Sequence, residues 1–215
     1  MAYLFDEDVP KTNIMFDIDV PETWTQYDLS GDAIARLRAQ ALEQHGNRPE
    51  ETEALNELFT DMANVTSEVT GAGMLAAAGA FEEYDDGFFM ATVCVFAFPA
   101  GKGEQTMDPL RMVEYVYSDS ATAREGTWLR KTAIDLTEQG LGVCGRIHGV
   151  ADYDTDEAIV RSVVMHTAFE YPDLNKRILV SCTSPNSQEA EEVLDLFDAI
   201  TGTARFWERE VVPGT

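Results

Sequence analysis

Cys144, Arg146 and His148 stand at alternate positions in one stretch of the chain. A cysteine paired with a histidine has the chemistry of a nucleophile and its base. In a strand these three residues share one face. Cys144 and His148 would then lie about 13 Å apart, too far for direct proton transfer. The expectation is therefore a sheet face carrying one polar histidine. Asp152, Asp154 and Asp156 have the alternation that opens an EF-hand loop. The sixth position holds Glu157 where a glycine makes the turn, and the twelfth holds Val163 where a glutamate closes the site. A solvated acidic loop is expected there. Gly101, Lys102 and Gly103 lack the earlier glycine and the following Ser or Thr of a phosphate loop. No G-x-S-x-G, H-E-x-x-H or paired C-x-x-C occurs. His45 precedes Gly46 at a helix end, where a cation suits the helix dipole. His166 reads as a half-buried strand histidine. No catalytic, metal or cofactor site is assigned.

Charge is the strongest compositional signal. The 215 residues carry 39 Asp and Glu against 15 Lys and Arg, a formal net charge of −24. The excess lies in segments with regular apolar spacing, not in a tail. Residues 50–69 contain Glu50, Glu51, Glu53, Glu57, Asp61 and Glu68 and no basic residue. Such a surface repels phosphate backbones and anionic lipid, which argues against nucleic acid and membrane partners. It suits a basic protein partner, with Glu50, Glu53 and Glu57 as the partner-binding residues. The plainer reading is a solvated acidic face, and adaptation to salt would give the same composition.

Hydrophobic residues make up 45% of the chain, enough for a sizeable core. No apolar run reaches the roughly 18 residues of a membrane helix. The acidic N-terminus does not resemble a signal peptide, and three cysteines, an odd number, sit in apolar runs. A cytoplasmic protein with reduced cysteines is expected, in a single domain over 1–215.

The elements that would position these residues follow from periodicity. A first strand is expected over 13–20, stopped by Pro21, and then a loop with Trp24 and Tyr27. Asp32 caps a helix to about residue 44, and Pro49 opens a second to about residue 69. Leu55, Leu58, Phe59, Met62, Val65 and Val69 form its apolar stripe. Residues 73–81, rich in Ala and Gly, and the bulky run 88–98 read as two strands. Asp85, Asp86 and Gly87 make the hairpin turn between them. Small side chains on 73–80 would let a helix or a ligand approach the backbone. Asp108 and Pro109 open a short segment to about residue 117, helix or strand.

From residue 127 the pattern is a β-meander, with an acidic loop over 151–157 and a turn at 172–175. Around that turn Met165 and Phe169 share a face with Ile178, Val180 and Cys182, while Val164, Ala168 and Leu179 take the other. Both faces being apolar, the sheet is expected to be covered on two sides. Asn186 with Glu189 resembles a capping box, the last helix runs through Val193, Leu194, Phe197 and Ile200, and Gly202 is its expected C-cap.

The order of these elements, the loop Pro21-Glu22-Thr23-Trp24 and the closing run from Ile178 through Phe197 to Phe206 resemble the Mog1/PsbP-like family, particularly its actinobacterial members. The resemblance implies an α+β fold: an antiparallel β-sheet flanked by helices on both faces, an α/β/α sandwich. Eukaryotic members of that family bind a small GTPase or photosystem II, and their binding residues have no counterparts that can be placed here.

The leading expectation is a cytosolic, non-catalytic binding or scaffold protein with an acidic interaction surface. One alternative is an immunity-type inhibitor of a basic toxin or nuclease. Another is an enzyme or small-ligand binder with a pocket near strand 73–80. The oligomeric state stays open.

Overall fold

The computed structural model describes residues 14–27, 29, 73–84, 87–100, 107–114, 122–154, 158–171 and 175–208, with isolated helical positions between 35 and 71. Nine strands are described: β1 (Ile14–Asp17), β2 (Thr25–Tyr27), β3 (Met74–Tyr84), β4 (Gly87–Pro99), β5 (Trp128–Leu136), β6 (Gly142–Asp154), β7 (Ile159–Tyr171), β8 (Lys176–Ser184) and β9 (Arg205–Glu208). Strands β2 to β8 form one antiparallel sheet in the order β2-β3-β4-β8-β7-β6-β5, and β1 pairs with β9 beside it.

The sheet follows from local signals joined by long-range pairings, β2 with β3 and β4 with β8. Tyr84 lies opposite Gly87, so β3 and β4 form the expected hairpin, and Gly87, expected in its turn, opens β4. Along β4, Ala91, Val93, Val95 and Ala97 are buried and the residues between them are not, which is the period-two pattern of a strand on a core. The expected meander is β5 to β8. Pairing of β4 with β8, Val93 opposite Cys182 and Val95 opposite Val180, joins it to the hairpin.

The expected sandwich with helices on both faces does not form. The chain is predominantly β, and among the described residues one long helix, Ala190–Gly202, packs on one face. Val193, Phe197 and Ile200 lock into Met165, Phe169, Ile178, Val180 and Cys182. The rest of that core comes from extended chain: Ile14, Trp24, Ala204 and Phe206, with Phe16 stacked on Phe206 at 5.7 Å. Among the described residues the opposite face carries the one-turn helix Pro109–Met112 and small clusters, Val113 with Ile147 and Ala168, and Ala151 with Val164. Alternating apolar residues on both faces record two-sided burial. They do not record whether a helix or extended chain provides it.

Several boundaries also move. The strand expected over 141–150 runs on to Asp154, so Asp152 and Asp154 belong to β6 and not to a loop. The expected capping box is not made. Asn186 accepts from Met90 N at 2.9 Å and donates to Phe88 O at 2.7 Å, tying the end of β8 to β4, and a 3-10 turn Ser187–Glu189 leads into the helix. The C-cap is Thr203, whose Oγ1 donates to Ile200 O at 2.7 Å and accepts from Asp19 N at 2.9 Å. Gly202 closes the last turn inside the helix.

Candidate functional site

The acidic stretch is described only at scattered positions. Glu53 is helical and exposed, whereas Glu50 and Glu57 lie outside the described residues. Arg38 donates to Asn56 Oδ1 through Nε at 3.1 Å and Nη2 at 2.8 Å, so the two expected helical stretches touch.

Strand β6 places Cys144, Arg146 and His148 on one face, as alternation requires. Cys144 is wholly buried. Its Sγ lies 3.6 Å from Gly142 O, and burial pushes its pKa up to about 11. A thiol so protonated is a poor nucleophile. Cys182, also wholly buried, is pushed up to about 12, and all three cysteines are free thiols. His166, on the other face, is pushed down to about 4 by burial and stays neutral.

Arg146 is tied to both a neighbouring strand and the helix. Its Nε donates to Thr167 Oγ1 at 3.1 Å, and its Nη1 bonds Asp198 from the helix. His148 lies two residues along and opposite Arg130 of β5. Its pKa is lowered by burial and then by the charges of Arg146 and Arg130, against a raising effect from Asp198. Trp128 meets the His148 imidazole edge-on at 6.1 Å, with Arg130 over the indole at 5.3 Å. Gly149 permits this approach: its φ is +146°, and a Cβ there would fall 2.1 Å from Trp128 O. Sequence spacing gave the shared face on β6. The pairing of Arg130 and Trp128 with it depends on register.

The EF-hand reading fails for a second reason beyond its missing residues. Asp152 is buried in β6 and accepts from Arg161 Nε at 2.8 Å and Nη2 at 3.1 Å, with Arg124 Nη1 at 3.7 Å. Those Arg161 hydrogen bonds hold its carboxyl below the usual range. Among the described residues no group of three or more His, Cys, Asp or Glu side chains is placed to hold a metal ion.

On β3, Ala78 and Ala80 face the core, while Gly79 accommodates β2. A Cβ on Gly79 would lie 3.0 Å from the Tyr27 hydroxyl and 2.7 Å from Ala91 O. The close approach expected at 73–80 is made here by a neighbouring strand's tyrosine.

The tip of the β3–β4 hairpin is the surface that sequence reasoning missed. Phe81 is 69% exposed, Phe88 51% and Met90 40%. Phe81 lies opposite Met90 and Glu83 opposite Phe88, so these side chains share one face, and the two Phe rings stack at 5.8 Å. Glu82 and Tyr84 bond each other on the other face. In the sequence these phenylalanines read as ordinary strand residues. Only the extension of the hairpin beyond its neighbours leaves them uncovered.

No protein-family model matches the sequence, and no curated protein matches it. Among solved structures the chain is similar to that of LpqN, involved in cell envelope biogenesis of Mycobacterium tuberculosis, with 8% identity and a TM-score of 0.46 over 96% of this chain and 90% of that one. At that identity and score the likeness carries no functional argument. No helix among the described residues is long and apolar enough to cross a membrane.

Proposed function

We propose that this is a non-catalytic binding protein of the cytosol that receives a basic protein partner on an acidic, aromatic-tipped surface. The observation that carries the reading is the hairpin tip. Phe81, Phe88 and Met90 are exposed side by side, with Glu83 on their face, Glu82 on the other, and Asp85 and Asp86 next in the sequence. Contiguous exposed aromatic surface is uncommon on a protein that meets only water. With carboxylates around it, it fits a partner segment that alternates Lys or Arg with apolar residues. The apolar contact supplies affinity, and the net charge of −24 speeds the encounter. The three free thiols suit a reducing compartment. The nucleophile-and-base alternative is disfavoured by the burial of Cys144.

The test is site-specific photocrosslinking in cells from Phe88 and, separately, from Glu53. The proposal expects one protein captured from Phe88 through a basic segment, with capture falling as salt is raised and lost in Phe81→Ser. Capture from Glu53 alone would move the interface to the helical stretch. No capture from either position would refute a protein-binding role. If the captured protein is a basic toxin or nuclease and is inhibited, the immunity-type version of the reading holds.

A further inference from the structure

Strand β5 ends the seven-stranded sheet, and among the described residues nothing pairs with its outer edge. Among those residues no turn, loop or cap hydrogen bond reaches the backbone of residues 128–135 either. Arg130, Lys131, Thr132 and Ala133 are all exposed. Successive side chains of a strand point to opposite faces, so four exposed residues in a row leave both faces open as well as the edge. The helix Ala190–Gly202 packs over β6, β7 and β8, away from this edge. A long open edge is a template for another strand. At the other end of the sheet β2 is only three residues long.

We propose that β5 is a dimerisation edge, which pairs antiparallel with β5 of a second copy in the register centred on Ala133. The occupant follows from charge complementarity. Lys131 in an edge strand ordinarily works against pairing, because a foreign strand gives its charge no partner. This strand carries that partner itself, in Asp135. Opposed residues of an antiparallel pair both turn toward the partner edge or both turn away, so two copies of one strand meet in registers centred on a residue. Centring on Arg130 or Lys131 sets like charges opposite one another, which is destabilising. Centring on Thr132 leaves Lys131 opposite Ala133, and Asp135 opposite Leu129. Centring on Ala133 sets Lys131 opposite Asp135 of the second copy twice, by symmetry, and Thr132 opposite Ile134 twice. Asp135 is already oriented: its Oδ1 accepts from Thr137 N at 2.9 Å and from Thr137 Oγ1, and its Oδ2 accepts nothing among the described residues.

The packing on each side of the edge leaves room for this pair. The one-turn helix Pro109–Met112 lies against Gly145 of β6. Across the dimer, β6 and its copy stand three strand spacings apart, about 14 Å. Packed helices approach to about 8–10 Å, so the two turns clear each other. The net charge of −24 on each copy opposes association at low salt, and physiological salt screens exposed charges over about 8 Å. The dimer does not depend on the hairpin-tip reading. Strand β4 lies four strands from β5 in the sheet order, so Phe81 and Phe88 stay free in it.

The experiment is sedimentation equilibrium of the full chain at physiological salt, from about 1 to 300 μM, since a pairing of this length falls in the weak class of interfaces. The expected result is a reversible monomer–dimer equilibrium with no larger species. Lys131→Asp sets carboxylates opposite one another and should weaken the dimer at least about fivefold, and adding Asp135→Lys to it should restore the affinity. Mild oxidation tests the register. The two copies of Ala133→Cys face each other on the symmetry axis and should join covalently, whereas Thr132→Cys, opposite Ile134, should not. Both positions are exposed, so neither substitution touches the core. Phe81→Ser should leave the dimer intact. A chain that stays monomeric over the whole range overturns the proposal. So does a dimer that Lys131→Asp leaves unchanged, one that Phe81→Ser abolishes, or crosslinking through Thr132→Cys equal to that through Ala133→Cys.

Discussion

Gly145 is the position where one added carbon should cost most. It is the fourth residue of β6, and a Cβ there would fall 1.8 Å from Pro109 O, 2.5 Å from Pro109 C and 3.3 Å from Leu110 N. All three are backbone atoms, so no rotamer change relieves the clash. To restore an ordinary carbon–oxygen separation, the helix Pro109–Met112 must retreat by over about 1 Å. That turn holds Val113, fully buried against Ile147 and Ala168. Opening this contact loses part of about 1.5–3 kcal/mol of valine burial. Forcing the strand to bulge instead costs about 1–3 kcal/mol of overpacking. Gly145→Ala should therefore destabilise by about 1–3 kcal/mol in urea unfolding, with an unchanged m-value. Gly202→Ala is the matched control. Nothing lies within 4 Å of its added Cβ, and its backbone is helical. It should be neutral or stabilise by up to about 1 kcal/mol. If Gly145→Ala costs less than about 0.5 kcal/mol, or the two variants lose equally, the close packing of this turn on β6 is wrong.

Phe197→Ala, at a fully buried position against β7 and β8, should cost about 3–5 kcal/mol in the same assay; a loss under about 1 kcal/mol would mean that the helix does not pack through this ring. His166 makes stability depend on acid. Its folded pKa of about 4 lies below an unfolded value near 6.5, so its contribution is complete above about pH 6.5 and is lost as pH falls through about 4. The wild type should lose about 3 kcal/mol more than His166→Gln between those limits, and parallel pH curves would refute the buried neutral ring. Native protein treated briefly with a maleimide at pH 8 should leave Cys144 and Cys182 unmodified, because both are wholly buried with thiols near 11 and 12; fast labelling of Cys144 would reopen the nucleophile reading.

Much of the strand architecture is legible because its signals are local. Alternation over 159–171 and 176–184 fixes which side chains share a face, and the Asp-Asp-Gly signal at 85–87 marks the hairpin. The cysteines read as core residues for the same reason: each lies within an apolar run. What covers each face was not legible. Any apolar layer satisfies the same pattern, and among the described residues the helix Ala190–Gly202 and the β1–β9 pair serve one face while a one-turn helix serves part of the other. Polar commitments were equally hidden. Asn186 reads as a helix cap until β4 lies beside it, and Asp152 reads as a loop carboxylate until Arg161 is paired across from it.

The sequence by itself determined the acidity, the meander and the inward residues of each strand, since these depend on residue type and on neighbours a few positions away. Tertiary structure alone decided that Arg130 and Trp128 meet Arg146 and His148, and that Phe81 and Phe88 stand exposed at a hairpin tip. Those facts depend on strand register and on how far one hairpin outreaches its neighbours, and both are set by packing between residues distant in the chain.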